Sequence, residues 1–228
     1  MNEWLTFSLI FLVIWFIIWL FKPILRKEML WVSLLTMPLG LTEPIFVPEY
    51  WNPPSLFNLA AKTGFDIESL IFCFGIGGIG AVIYQTFFKI KYQKITKHEM
   101  HRKRHRFHLL ALISAPIVFI PLFFLTNLNP IYSASIAMFI GGISAFLCRP
   151  DLKKKIWVSG VIFTFIYFIF FIIFTSYYPS IVYMVWNLSV ISGILILGIP
   201  IEELIFAFTF GMLWSSYYEH IKWYKLKK

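Results

Sequence analysis

Two short segments of this chain carry carboxylates where hydrophobic helices should begin. Asp66-Ile67-Glu68-Ser69-Leu70-Ile71-Phe72 and Pro200-Ile201-Glu202-Glu203-Leu204-Ile205-Phe206 share their spacing, and each follows a Trp-Asn pair, Trp51-Asn52 and Trp186-Asn187. Acidic side chains within membrane segments are costly, so by default they mark a functional site. Carboxyl groups held in a dry pocket suit proton chemistry, because burial and like charge separate their proton affinities and divide acid from base. Glu202 and Glu203 stand about 100° apart around a helix and need not share a proton. A plainer reading stays open: proline at the first helical position and acids in the first turn also offset the positive helix end.

Other constellations carry less. Residues 75–80 read Gly-Ile-Gly-Gly-Ile-Gly, which matches G-x-G-x-x-G. A dinucleotide loop needs a preceding strand and a βαβ unit. This run lies in the middle of an apolar stretch, where small residues serve close helix packing. His98, His101, His105 and His108 recur at helical spacing and suggest a metal-binding face. Lys97, Arg102, Lys103, Arg104 and Arg106 lie among them, and their charge opposes a cation. A basic amphipathic segment resting on an anionic lipid surface is the simpler expectation, with no metal and no cofactor. Cys73 and Cys148 both lie in apolar runs, which suggests neither a disulfide framework nor a cysteine-rich metal site.

The elements that must position these residues follow from composition. Hydrophobic residues make up 59% of the 228 and charged residues only 14%, against roughly 25% charged in soluble domains. Apolar runs of membrane-spanning length recur at Leu5–Phe21, Met29–Val47, Asp66–Phe88, Phe107–Thr126, Ile131–Leu147, Ile156–Ser176 and Pro200–Glu219. The first of these lacks a basic lead and a small-residue cleavage site, so a retained span is expected rather than a signal peptide. A further stretch, Ile181–Ile199, is either spanning or re-entrant. The net charge of +9 does not point to nucleic acid once its distribution is considered. With seven crossings and the N-terminus outside, loops 22–28, 89–106, 149–155 and 220–228 hold 19 of the 20 Lys and Arg residues, leaving Lys62. That asymmetry implies a multi-pass protein of the cell membrane with a cytoplasmic C-terminus, and it favours a re-entrant Ile181–Ile199. Seven of the eleven acids, including Glu43, Asp66, Glu68, Glu202 and Glu203, fall near the opposite boundary.

The chain also resembles itself. Lys22-Pro23-Ile24-Leu25-Arg26-Lys27-Glu28 is similar to Arg149-Pro150-Asp151-Leu152-Lys153-Lys154-Lys155, and the two carboxylate segments form a second matching pair. The expected fold is an all-α membrane protein of about seven transmembrane helices in a single domain. Two parallel three-helix repeats, about 5–88 and about 131–220, would be joined by one helix at about 107–126. One connecting helix leaves both units the same way up, related by an axis along the membrane normal.

At Pro200-Ile201-Glu202-Glu203-Leu204-Ile205-Phe206 the chain resembles the small integral-membrane lycopene cyclases, which occur as heterodimers or as the cyclase half of fusions with phytoene synthase. That family is similar in its tandem three-helix units, each with a Trp-containing loop followed by Pro-(Leu/Ile)-Glu-Glu-(Leu/Phe)-x-Phe. The first unit departs from the motif, with Asp66 for the proline and Ser69 for the second glutamate. The resemblance implies redox-neutral β-cyclisation of the linear ends of a carotenoid such as lycopene. An end-group alkene is protonated, the ring closes through a carbocation, and a different proton leaves. It further implies Glu202, Glu203 and Glu68 as catalytic carboxyls, with Glu43 and Asp66 as secondary candidates. Trp51, Asn52, Phe72, Trp186, Asn187 and Phe206 become the candidate substrate-binding residues, because aromatic faces stabilise a cation. Partners implied are the carotenoid, the lipid bilayer and other enzymes of the carotenoid pathway. Both half-units lie in this one chain, so no second subunit is needed.

Three alternatives stand beside this reading. One is a non-catalytic carotenoid- or lipid-binding membrane protein, which would tolerate loss of Glu202 or Glu203. Another is a related end-group enzyme, a C50 cyclase or a hydratase. The last is a metal-dependent oxygenase built on His101 and His105.

Overall fold

A computed structural model describes residues 2–227, so Met1 and Lys228, the ends of the expected outer N-terminus and basic tail, lie outside it. The main helices follow the apolar runs. In order they are α1 (Glu3–Phe21), α2 (Arg26–Thr36), α3 (Glu43–Phe46), α4 (Leu59–Thr63), α5 (Ile67–Phe87), β1 (Lys91–Lys94) and α6 (Lys97–Met100). Then come α7 (His108–Leu125), α8 (Pro130–Cys148), α9 (Lys153–Tyr177), α10 (Ile181–Val185), β2 (Leu195–Ile196), β3 (Ile199–Pro200), α11 (Ile201–Trp214), α12 (Tyr217–Lys222) and β4 (Tyr224–Lys227). Among the described residues, six helical stretches are long and apolar enough to cross a bilayer: Glu3–Phe21, Pro23–Phe46, Ile67–Phe87, Lys103–Leu125, Pro130–Cys148 and Pro150–Tyr177. The protein is an all-α membrane protein.

The seventh expected span, Pro200–Glu219, is a broken helix. Its 14-residue part, α11, covers about 21 Å at 1.5 Å per residue, against a hydrocarbon core of about 30 Å. The break falls at Ser215 and Ser216, whose hydroxyls donate to the Met212 and Leu213 carbonyls at 3.2 and 3.1 Å. Such back-bonding competes with the helix ladder and bends it. The ambiguous stretch Ile181–Ile199 is the short helix α10, a loop and the first strands of a two-residue ladder between β2 and β3, not a crossing helix.

Helices α1 and α2 pack on α5, helices α8 and α9 pack on α11, and α5 meets α9 and α11 between the two groups, while α7 lies against α8. The glycine run sets the first contact. A Cβ on Gly78 would sit 2.2 Å from Trp15 Nε1 and 2.3 Å from Ser33 Oγ, the two atoms joined by a 2.9 Å hydrogen bond across that glycine.

Positions matched by the internal similarity meet at both ends of the bundle. Trp51 and Trp186 form an isolated antiparallel bridge. Beside it the Asn52 N–H donates to the Val185 carbonyl at 2.7 Å and the Asn187 N–H to the Tyr50 carbonyl at 2.9 Å. At the basic end, Lys155 donates to Glu28 at 3.3 Å and to Glu219 at 2.5 Å. Gln85 donates to Glu28 at 3.1 Å and to Glu219 at 3.0 Å. Glu28 and Lys155 each follow their unit's proline, Pro23 or Pro150, by the same interval, and Gln85 and Glu219 each follow their unit's acid, Glu68 or Glu202, by the same interval. All four are buried, and such charges are tolerated only when paired. Tyr92 of β1 also donates to Glu28. Burial and the Glu28 carboxylate push the Tyr92 hydroxyl far above its ordinary value, so it remains a donor. Strand β1 pairs antiparallel with β4, which brings the basic loop to the C-terminal segment.

Candidate active site

The carboxylate segments begin α5 and α11, and the first turn of each helix aims its acids in different directions. In α11 the residues Glu202 and Glu203 diverge as helical geometry requires. Glu203 is buried at the head of an apolar cavity of about 450 Å³. Its carboxylate accepts from Tyr50 Oη at 2.5 Å, Trp186 Nε1 at 2.8 Å and Tyr167 Oη at 2.7 Å. Hydrogen bonds to a charged acceptor are the stronger kind, and three donors with no competing acceptor match an ionised carboxylate. These donors come from the loop before α4, from α9 and from the loop after α10, so only the folded bundle assembles them.

Glu202 turns away from the cavity. It accepts from Tyr132 Oη at 2.6 Å and from the Ser192 N–H at 2.9 Å, which fastens the loop before α11 to α8. Glu68 does the matching task in the first unit, accepting from the Leu56 N–H at 2.6 Å and from Asn2 Nδ2 at 2.9 Å. Glu68 and Glu202 therefore do not meet across the bundle, and neither lines the cavity. Asp66 is the N-cap of α5, accepting from the Ser69 N–H at 2.5 Å. Of the secondary candidates, Glu43 is the one that faces the cavity. Its Oε1 is buried without a partner, as are Trp51 Nε1 and Ser69 Oγ, and all three residues line the same wall.

Phe72, Phe206 and Trp51 also line the cavity, whereas Trp186 acts through its indole N–H on Glu203. Asn52 and Asn187 contribute backbone to the bridge between the units rather than side chains to the cavity. Tyr50 and Tyr167 escaped the sequence reading. Tyr50 sits one residue before Trp51-Asn52, and Tyr167 is a lone hydroxyl within a run of apolar residues in α9. A polar atom that deep needs a partner, and that need is the signal that could have marked it.

The cavity walls are otherwise mostly aromatic and aliphatic, with Thr42, Cys73 and Met138 among them, and among the described residues that line it none is Lys, Arg or His. Tyr167, Phe206 and Phe210 form a chain of rings with centroid separations of 6.5 and 5.6 Å. Leu35 and Leu39 on one side and Pro116 and Phe119 on the other make the rim. Leu35 and Leu39 are exposed on the bundle surface, where lipid would contact them. A second cavity of about 640 Å³ opens at the end away from the basic loops, and Glu43 lines both. The arrangement offers one carboxylate held by three donors, one carboxyl without a donor, and π faces between. It is suited to making and discharging a carbocation away from water.

A family model described as lycopene cyclase matches residues 129–221. The match runs from the start of α8 into α12 and includes Glu202, Glu203, Tyr132, Tyr167 and Trp186. No curated protein and no solved structure matches the chain.

Proposed function

From the match of residues 129–221 to the lycopene cyclase family model, we propose that this chain is a carotenoid cyclase that forms β-type rings on the linear ends of a carotenoid such as lycopene. The observation that carries the reading is the Glu203 carboxylate, held by Tyr50, Tyr167 and Trp186 at the head of an aromatic cavity free of Lys, Arg and His. The end group enters from the bilayer past Leu35, Leu39, Pro116 and Phe119. Glu43 is the acid: a buried carboxyl oxygen without a donor suits the neutral form, since an unpaired buried charge is far costlier. It gives its proton to the terminal alkene, and the neighbouring alkene's π pair closes the ring on the resulting cation. Glu203 stabilises the ring cation and takes the proton whose loss forms the ring alkene. One proton enters and one leaves, so the reaction is an isomerisation. To reset the site, Glu43 regains a proton from the second cavity, which it also lines, and Glu203 gives up the proton it took.

In the first unit the acid has moved along the chain. Ser69 occupies the position matching Glu203, and the carboxyl beside Trp51 and Ser69 is Glu43. Glu68, Glu202 and Asp66 set the loops and the helix start that hold this pair. The concentration of Lys and Arg in the loops gathered at one end supports an outside N-terminus and a cytoplasmic C-terminus. The test is expression in a lycopene-accumulating host with chromatography of the pigments. Cyclised product from the wild type, lost in Glu203→Gln and Glu43→Gln, is the expected result. Unchanged lycopene with the wild-type protein present in the membrane would overturn the assignment.

A further inference from the structure

The basic end holds a cluster that cyclisation does not use. Cys148 ends α8, His105 lies in the 3-10 turn before α7, and His108 opens α7. Cys148 Sγ is 3.5 Å from His105 Nδ1 and 3.5 Å from His108 Nδ1. One potential ligand atom from each residue lies within 4.8 Å of the other two. From α12, His220 is fully buried with neither ring nitrogen partnered, and its ring centroid is 4.5 Å from that of His108. We propose that Cys148, His105 and His108 form a binding site for a thiolate-preferring divalent cation, Zn2+ by chemistry, with His220 as the fourth ligand.

The spacing carries the argument. Zinc bonds of about 2.3 Å to sulfur and about 2.0–2.1 Å to imidazole, set at a tetrahedral angle, give sulfur–nitrogen edges of about 3.5 Å. A thiol is only a weak hydrogen-bond donor and acceptor, and it leaves both nitrogens of the buried His220 unused. A cation that recruits His220 answers that deficit. The basic surroundings are partly neutralised: Arg149 is bound to Asp151 at 2.9 and 2.7 Å and to the Glu219 and Tyr224 carbonyls at 3.2 and 2.5 Å. The thiolate supplies a further negative charge. Arg104 Nε donates to His105 Nε2 at 3.3 Å; with Nδ1 on the cation that nitrogen would take up the proton, and the exposed Arg104 side chain would have to turn away. His98 and His101 lie outside the cluster, and His101 Nδ1 is instead 2.7 Å from the Lys97 carbonyl. Bound metal would tie the loop before α7, the end of α8 and α12 together, a structural clamp at the basic end.

The full chain, purified in detergent and stripped with a chelator, is titrated with Co2+ and separately with Zn2+, the latter read by elemental analysis. One Zn2+ per chain and a thiolate-to-cobalt charge-transfer band are expected. Cys148→Ser should abolish the band, His220→Ala should weaken Co2+ binding at least tenfold, and His98→Ala with His101→Ala should change neither. Absence of a thiolate band in the wild type, or metal retention undiminished in Cys148→Ser, would overturn the site. Size-exclusion profiles establish that the variants fold. If Cys148→Ser does not fold, the wild-type band and stoichiometry decide alone.

Discussion

Glu203→Gln separates the electrostatic role of Glu203 from its place in the fold. The substitution keeps shape and removes charge. Tyr50 and Trp186 both donate to Oε1, which the glutamine retains as its carbonyl oxygen. Tyr167 donates to Oε2, and its hydroxyl can turn to accept from the new amide. Tyr50 and Trp186 stay satisfied while the buried Tyr167 proton loses its acceptor, so stability should fall by about 1–3 kcal/mol. The reaction loses more. A ring cation about 5 Å from the carboxylate, at an effective dielectric constant of about 20, gains about 3 kcal/mol, and losing it slows the step by about two orders of magnitude. Loss of the base adds to this. The assay is cyclised-to-linear pigment ratio at matched membrane abundance, together with the thermal midpoint of the purified protein. A folded Glu203→Gln variant that keeps more than a tenth of the wild-type rate would refute the reasoning.

The neighbouring acid should behave differently: Glu202→Gln keeps its acceptor oxygen toward Tyr132 and Ser192, so cyclisation should fall less than tenfold in the same pigment assay. Lys155→Met removes the cation between Glu28 and Glu219 and strands two buried carboxylates, at a cost of about 3–5 kcal/mol. Thermal denaturation would register this, and adding Glu28→Gln with Glu219→Gln should recover part of it. Gly78→Ala drives a methyl group into the Trp15–Ser33 hydrogen bond, and overpacking of that kind costs about 1–3 kcal/mol. A midpoint equal to wild type would show that α1, α2 and α5 are not locked there.

Much of this protein could be read locally. Apolar length marked α1, α5, α7, α8 and α9 to within a few residues, and the glycine run in α5 declared a packing surface, because these signals depend only on side-chain type and helical period. The carboxylate segments likewise announced themselves at helix starts. Which acid faces the cavity was settled elsewhere. Glu202 and Glu203 differ in direction by the turn of one residue, so their roles depend on how α11 is rotated against α8 and α9, and sequence spacing alone does not set that angle. Glu43 and Tyr50 reach the cavity from one stretch before α4, and Tyr167 reaches it from α9, far along the chain. The β1–β4 ladder, the Glu28–Gln85–Lys155–Glu219 quartet and the His105–His108–Cys148 cluster are also products of packing. Each joins groups that no local pattern links, and each exists because a buried polar atom must find its partner across the bundle rather than along the chain.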